Sequence, residues 1–588
     1  MKTDKKTKAW IPLIVAVSIV AGIAIGFFLT RQITLTDGQR KLAAILDLID
    51  SEYVETVDLD SLLEQTYPDL LSNLDPHTVY IPASDLQSVN DDLDGSFSGV
   101  GISFTLHSDT ITVNEVIPGG PSEKAGLMPG DRIVSVNDSI VAGKGITNTQ
   151  VQKMLRGEKG TTVSLGIKRK TAKEILNFDI VRGDIPVNTV LAEYIIEDKV
   201  GYIKVSKFGR TTYDEFLTAL ARLAGKGAES YIIDLRGNGG GLMDVAILMA
   251  NEFLPAGAPI VSTRGRKTEN DRYIGSDGLG SFQKAQVVVL LDEYSASASE
   301  IFAGALQDND RGLIVGRRSF GKGLVQHQVT LPDSSAMRIT VARYYTPSGR
   351  SIQKDYKPGQ REAYERELLD RYDHGEFYES DSIKFNTDLQ YTTAGGRTVY
   401  GGGGIMPDVF VPNDTTNITS YYINLLNSGS LYQYAFDFSD RNRDWLSTAT
   451  DVDELMRMLP YDDELLQGVV AYASSKGLPA RWYYINISAP VIVNNLKALI
   501  ANDILGQSYS YQVSNTHDAT VLRALSELHA GNAVPPINDS RNPVKSRRIP
   551  SLLTRAPAVE DSTDIQQNDT LQISDYEEKR IETESTNK

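Results

Sequence analysis

The sequence of 588 residues predicts a multidomain α/β protein with an N-terminal transmembrane helix and a C-terminal helical region. Three observations lead there. Short apolar runs alternate with amphipathic stretches from about residue 184 to 350, the pattern of strands and helices sharing one core. An uncharged apolar run lies near the N-terminus, and helical periodicity returns beyond about residue 419.

The apolar run extends from Trp10 to Thr30 and follows Lys2, Lys5, Lys6 and Lys8. About 20 residues at 1.5 Å each give roughly 30 Å, the thickness of a bilayer core. Positive charge before the span predicts a cytoplasmic N-terminus with the remainder outside. A cleaved signal peptide is the alternative, but the apolar run is long for one and no small-x-small cleavage site follows it.

Leu42, Ile45, Leu46 and Ile49 recur at helical spacing, and Leu59 to Leu74 reads as a second helix, ended by the turn at Asp75-Pro76-His77. From Gly95 to about Gly183 the texture is short strands and glycine-rich turns. Ile111–Val113 reads as a strand, Pro121 opens a short helix ending at Gly126, Gly130–Asn137 is a turn and strand, and Val151–Leu155 is a second helix. In order and spacing this run resembles a PDZ domain. Further on, Val200–Val205 is a strand and Tyr213–Leu223 a helix. Tyr231–Leu235 and Val287–Leu291 are apolar runs short enough for buried strands.

Composition excludes several chemistries. There are no cysteines, so thiol catalysis, disulfides and zinc–thiolate sites are absent. The net charge of −17 argues against nucleic acid as a partner. No H-E-x-x-H or G-x-S-x-G occurs, and none of the six histidines carries a catalytic signature. No metal or cofactor is expected.

Three segments remain. Asp292 to Ala305 joins a buried strand to an amphipathic helix. Ser297 and Glu300 fit a capping box, yet a serine at such a turn also suits nucleophilic use, with the Ala298 amide free to stabilise an oxyanion. Gly316 to Gln326 contains Lys322 between two glycines. A lysine acts as a base only when neutral, which burial favours, and Gln326 could hold its amine; a solvated surface lysine is the plainer reading. The glycines are expected to let this strand pack closely against the nucleophile turn. The same segment matches G-x-x-x-x-G-K, but Gly323 replaces the Ser/Thr that binds magnesium, and strands rather than a helix flank it. Ser319 and Lys322 match S-x-x-K, which needs a helical turn that Gly321 and Gly323 disfavour. Asp234 to Leu242 carries three consecutive glycines at a strand-to-helix junction, a geometry that exposes backbone amides.

In this order, after a PDZ-like run, these segments resemble the C-terminal processing (tail-specific) peptidase family. The family couples a serine in S-A-S-A-S-E to a lysine in F-G-K-G 25 residues later, the separation of Ser297 and Lys322, which selects Ser297 over Ser295 and Ser299. The resemblance implies a crotonase-like α/β peptidase core, Ser297 as nucleophile, Lys322 as base and Gln326 orienting the lysine. It places the oxyanion hole at the amides of Gly241 and Ala298. It further implies that the PDZ domain grips a substrate C-terminus at Ser98, Gly99, Val100, Gly101 and Ile102, with Arg156 sensing the bound peptide.

The expected product is a serine endopeptidase cutting exported proteins near their C-termini. Its partners are protein or peptide substrates with free C-termini; a homo-oligomer or an adaptor is left open. Its place is the inner membrane, with the catalytic part in the periplasm. A catalytically silent PDZ scaffold and an acyl-thioester enzyme of crotonase type are the alternatives. The domains run 1–35 (cytoplasmic N-terminus and anchor), 36–94 (N-terminal helical part), 95–183 (PDZ) and 184–418 (peptidase core, with a tyrosine-rich insertion at about 351–398). Beyond them come 419–549 (helical, role unknown) and 550–588. This last stretch is acidic, with nine Asp/Glu against three Lys/Arg from Ala556 onward, and is expected to be disordered.

Overall fold

The computed structural model describes residues 36–107, 109–533 and 570–572, together with Ser18. The expected span at Trp10–Thr30 lies outside these residues, Ser18 apart. Among the described residues no helix is long and apolar enough to cross a membrane. The acidic tail also lies outside them, except that Thr570–Gln572 pair in parallel with Gln328–Thr330, a short departure from the expected disorder.

The chain divides into two compact units, Met1–Leu71 and Ser72–Lys588. The first contains α1 (Asp37–Glu52) and most of α2 (Leu59–Ser72), the two helices that the periodicity predicts. Thr36 and Gln39 close a capping box at the start of α1.

In the second unit α3 (Ala83–Asp94) leads into the PDZ-like part. Its sheet holds β1 (Ile102–His107), β2 (Thr110–Val116), β3 (Arg132–Val136), β4 (Thr162–Lys168) and β5 (Leu176–Val181), in order β1-β2-β3-β4-β5, with Ser139–Ile140 added to β3. Helices α4 (Pro121–Ala125) and α5 (Asn148–Leu155) accompany it. Gly126 ends α4 at φ +90°, where a side chain would be strained. Val151 and Leu155 of α5 are buried in the domain's own core with Ile111, Ile133 and Val163.

The α/β part is built on a six-stranded sheet. Its strands are β6 (Val190–Glu197), β7 (Val200–Val205), β8 (Ser230–Asp234), β11 (Gln286–Leu291), β12 (Leu313–Gly316) and β15 (Val409–Phe410), adjacent in that order. All neighbours after the β6–β7 hairpin are parallel. A second sheet holds β9 (Pro259–Gly265), β10 (Arg272–Gly275), β13 (Leu324–Thr330) and β14 (Ala336–Tyr345), in order β10-β9-β14-β13, with Val79–Ile81 added to β14. Strand β7 is buried at every residue, and Tyr231–Asp234 of β8 are equally so. Their near-continuous apolar runs are those of parallel strands covered on both faces.

One face of the first sheet is covered by α6 (Thr212–Gly225), α7 (Met243–Asn251) and α8 (Ala298–Asp308). All eleven residues of α8 are buried. The insertion contributes α9 (Arg361–Asp373).

The C-terminal helices are α10 (Ser420–Asn427), α11 (Ser430–Leu446), α12 (Val452–Met458), α13 (Asp462–Ser475), α14 (Trp482–Leu505), α15 (Gln507–Asn515) and α16 (Ala519–His529). Helices α10 to α14 share a core of their own around Leu425, Leu446, Val469 and Ile492. Helix α16 does not belong to it. Val521, Ala524, Leu525 and Leu528 lie against Tyr202, Ile232, Val288 and Val315, on the other face of the mostly parallel six-stranded sheet. The helical region read as one block from 419 to 549 thus splits, its end completing the α/β sandwich.

Candidate active site

Three serines crowd the turn between β11 and α8, and local geometry tells them apart. Ser295 Oγ donates to the Leu235 carbonyl (2.9 Å) and Ser299 Oγ to the Asn238 carbonyl (2.9 Å); both residues are fully buried. Their hydroxyls sew this turn to the glycine-rich turn after β8. Ser297 is only partly buried and sits at φ +55°, ψ −113°, outside the ordinary regions for a side-chain-bearing residue. Half of the capping box expected from Ser297 and Glu300 is formed: Glu300 Oε2 accepts the Ser297 N–H (2.8 Å), while Glu300 N–H is bound to the Ser297 carbonyl (2.9 Å) and not to its hydroxyl. Capping through the Glu300 carboxylate and exposure of a strained serine are therefore compatible, not competing, readings.

The glycine turn passes directly behind Ser297. A Cβ on Gly240 (φ +101°) would stand 2.7 Å from Ser297 Cβ and 2.7 Å from the Ala296 carbonyl. One on Gly241 (φ +142°) would stand 2.2 Å from the Phe208 carbonyl. Only glycine fits either place. Gly240 N–H is bound to Asn238 Oδ1 (2.9 Å) and Leu242 N–H to the Phe208 carbonyl (2.8 Å). The amides of Gly241 and Ala298 donate to no group among the described residues. Ala298 is the first residue of α8, where the helix dipole adds positive potential. Two unspent N–H groups thus flank the serine.

Lys322 lies on the loop between β12 and β13. Burial, with a smaller contribution from Arg338, pushes its pKa down to about 8 against the opposing pull of Glu300 and Asp75. Its Nζ donates to Gln326 Oε1 (2.9 Å), and Gln326 Nε2 donates to the His77 carbonyl, which fixes which way the amide faces. No hydrogen bond joins Nζ to the Ser297 hydroxyl in this structure.

The two loops are nevertheless tied at the backbone, through residues that the sequence reading did not assign to this task. Fully buried Glu300 accepts four hydrogen bonds. Oε2 takes the N–H of Ser297 (2.8 Å) and of Lys322 (2.9 Å); Oε1 takes Ser319 Oγ (2.6 Å) and Gly321 N–H (2.7 Å). Burial pushes its pKa up to about 7, and the four donors facing its two oxygens oppose that shift and favour the anion. Tyr344, buried on β14, donates to the carbonyls of Ser297 (3.1 Å) and Lys322 (2.6 Å). The S-x-x-E pattern marked Glu300 as a cap; only the fold reveals its reach to Lys322.

The glycines beside Lys322 serve a purpose other than the expected one. A Cβ on Gly321 would approach the Gly404 amide (3.1 Å) and Lys354 Cβ (3.2 Å), and one on Gly323 the Gln353 amide (3.0 Å). They admit the start of the insertion, while close approach to the Ser297 turn comes from Gly240. The insertion also clamps the Lys322 loop. Arg371 donates to the carbonyls of Ser319 (3.1 Å) and Arg318 (2.8 Å), Glu376 chelates Arg318, and Lys354 Nζ lies 4.0 Å above the Phe320 ring.

In the PDZ-like domain Gly99, Val100, Gly101 and Ile102 line a groove of about 800 Å³ between β1 and α5. Ser98 does not line it; it belongs to the ribbon pairing Ser96–Gly99 with Gly183–Pro186. Arg156 lines the groove, stacks 4.2 Å over the Phe97 ring and pairs with Asp91 of α3 (3.9 Å).

Comparison with known proteins identifies the domains. Residues 199–359 match the model of peptidase family S41, and residues 98–180 that of the PDZ domain. Residues 421–506 match a family of unknown function (DUF8443). A PDZ domain joined to an S41 core defines a serine peptidase. The carboxy-terminal-processing protease of Bartonella bacilliformis is 38% identical over 314 residues, 53% of this chain and 71% of that one. Carboxy-terminal processing protease CtpB of Bacillus subtilis is 37% identical over 317 residues, 53% of this chain and 65% of that one. Among solved structures, the photosystem II D1 C-terminal processing protease matches 64% of this chain and 94% of its own, at 27% identity and a TM-score of 0.32. The chain belongs to peptidase family S41, among the carboxy-terminal processing proteases.

Proposed function

We propose that the protein is an endopeptidase that cleaves exported proteins near their C-termini through an acyl-enzyme, with Ser297 as nucleophile and Lys322 as general base. The observation that carries this reading is the partly buried lysine, held by Gln326 on a loop whose backbone shares Glu300 and Tyr344 with the serine. At pKa about 8 an appreciable fraction of Lys322 is neutral near neutral pH. With substrate bound, the amine turns from Gln326 toward Ser297 and takes the hydroxyl proton as Oγ attacks the scissile carbonyl. The amides of Gly241 and Ala298 receive the developing oxyanion. Lys322 returns the proton to the leaving amine, and water then releases the acyl group by the reverse sequence.

The PDZ domain supplies selection. A free carboxylate docks on the backbone between Gly99 and Ile102, and the tail adds to the edge of β1 as an extra strand. The apolar run at Trp10–Thr30 supports an inner-membrane anchor with the catalytic part in the periplasm; an alkali-resistant membrane fraction that becomes soluble once residues 1–35 are removed tests that placement.

Incubation of the protein with unfolded polypeptides, beside the variants Ser297→Ala and Lys322→Ala, tests the chemistry. Both variants should lose cleavage. Cleavage surviving either substitution refutes the assigned pair, and tails cut equally well after C-terminal amidation refute recognition through the carboxylate.

A further inference from the structure

The helices beyond residue 419 carry no assigned role, yet two of them meet the PDZ groove. Tyr432, Gln433 and Phe436 of α11, with Leu499, Asn502 and Asp503 at the end of α14, complete its lining opposite β1 and α5. Polar contacts beside the groove fix them there. Arg132 of β3 pairs with Asp440 of α11 (3.1 Å), and Lys170 Nζ donates to the Asp440 carbonyl (3.5 Å).

Charge is unequal along the groove. Arg156 is the one basic side chain among the lining residues and Asp503 the one acidic. Arg156 lies at the carboxylate-loop end, where the neighbouring Gly157 N–H reaches the Ser98 carbonyl (3.4 Å). Asp503 lies on the helical wall, its backbone carbonyl bound by Arg443 (3.1 Å). A Cβ on Gly130 would stand 3.9 Å from Arg443 Nε, and Gly130 N–H is bound to the carbonyl of Val113, the strand partner of Phe104. These contacts set residue 503 toward the Phe104 end, upstream of the carboxylate position. Burial pushes the Asp503 carboxyl up to about 6 against the pull of Arg443, leaving it anionic at neutral pH.

We propose that α11 and the end of α14 form a third wall of the peptide site, which reads side chains upstream of the substrate's terminal residue and selects an extended tail with a lysine or arginine opposite Asp503. The inference rests on the PDZ domain gripping a substrate C-terminus. A tail added to β1 turns alternate side chains to opposite sides, so those facing away from α5 meet the helical wall. Enclosure on three sides admits a single extended strand and excludes a folded end.

Equilibrium binding of fluorescent peptides to the full chain carrying Ser297→Ala, which prevents cleavage, tests this. The peptides carry one lysine moved through successive upstream positions, with an all-alanine tail and amidated forms as references. At one register lysine should bind about five- to tenfold tighter than alanine. Asp503→Asn should erase that preference while leaving the alanine tail unaffected. Tyr432→Ala, at a residue 57% exposed and thus removable without opening a core, should weaken all tails about threefold or more. If amidation weakens binding but both variants bind every tail as the parent does, the third wall is overturned while recognition of the C-terminus stands. Indifference to amidation overturns both.

Discussion

Replacing Glu300 by glutamine tests the construction of the site at its most connected point. The carboxylate accepts four hydrogen bonds, two of them from the backbone of Ser297 and Lys322. Glutamine keeps one acceptor oxygen and turns the other into a donor. With its oxygen toward Ser297 and Lys322, the new NH₂ faces the Ser319 hydroxyl, which can rotate to accept, and Gly321 N–H, which cannot. One orphaned buried N–H costs about 1–3 kcal/mol, and losing the charge from two remaining bonds about 1 kcal/mol each. Glu300→Gln should therefore destabilise the protein by about 3–5 kcal/mol in denaturant unfolding. Its electrostatic effect has a definite sign. The carboxylate holds the Lys322 pKa up, so its removal lets that value fall further below the usual lysine range. The rising limb of kcat/KM against pH, which reports the lysine losing its proton, should move to lower pH even as the maximum rate drops. Stability unchanged within about 0.5 kcal/mol, a margin typical of surface substitutions, would refute the four-way acceptor. A limb displaced to higher pH would refute the anionic state of Glu300.

Arg338→Gln should displace the same limb in the opposite direction, because the guanidinium lowers the Lys322 pKa; pH profiles of the two variants measured together check the signs. Gly240→Ala places a methyl 2.7 Å from Ser297 Cβ and should reduce kcat about 10²–10³-fold, the usual cost of disturbing an oxyanion site, measured on a short peptide. Tyr344→Phe leaves the Ser297 and Lys322 carbonyls without their shared donor and should cost about 1–3 kcal/mol in unfolding experiments.

Much of this was legible in the residues themselves. Strands at 200–205, 230–234 and 286–291 follow from short apolar runs, and helices at 121–125 and 148–155 from turn chemistry and periodicity. The separation of Ser297 from Lys322 singled out two loops that Glu300 and Tyr344 tie together, and the Lys322–Gln326 bond falls where the sequence allowed it. Contacts made by residues far apart in the chain were not legible. Nothing in the spacing of Tyr344 says that its hydroxyl bridges two loops, and Gly321 and Gly323 look the same whether they admit the nucleophile turn or, as found, residues 353–354 and 404. Helix α16 has the period of any amphipathic helix; its place on the catalytic sheet depends on which apolar face was still uncovered.

The complete burial of α8 has a consequence for control. A helix with no exposed residue cannot slide or tilt without opening the centre of the molecule, so displacing Ser297 costs nearly as much as unfolding the core. Ser297 is in effect a fixed datum. Any change in the separation of the Ser297 and Lys322 side chains must then come from the Lys322 amine, which can move at lower cost, with the serine as the mark against which it is aligned.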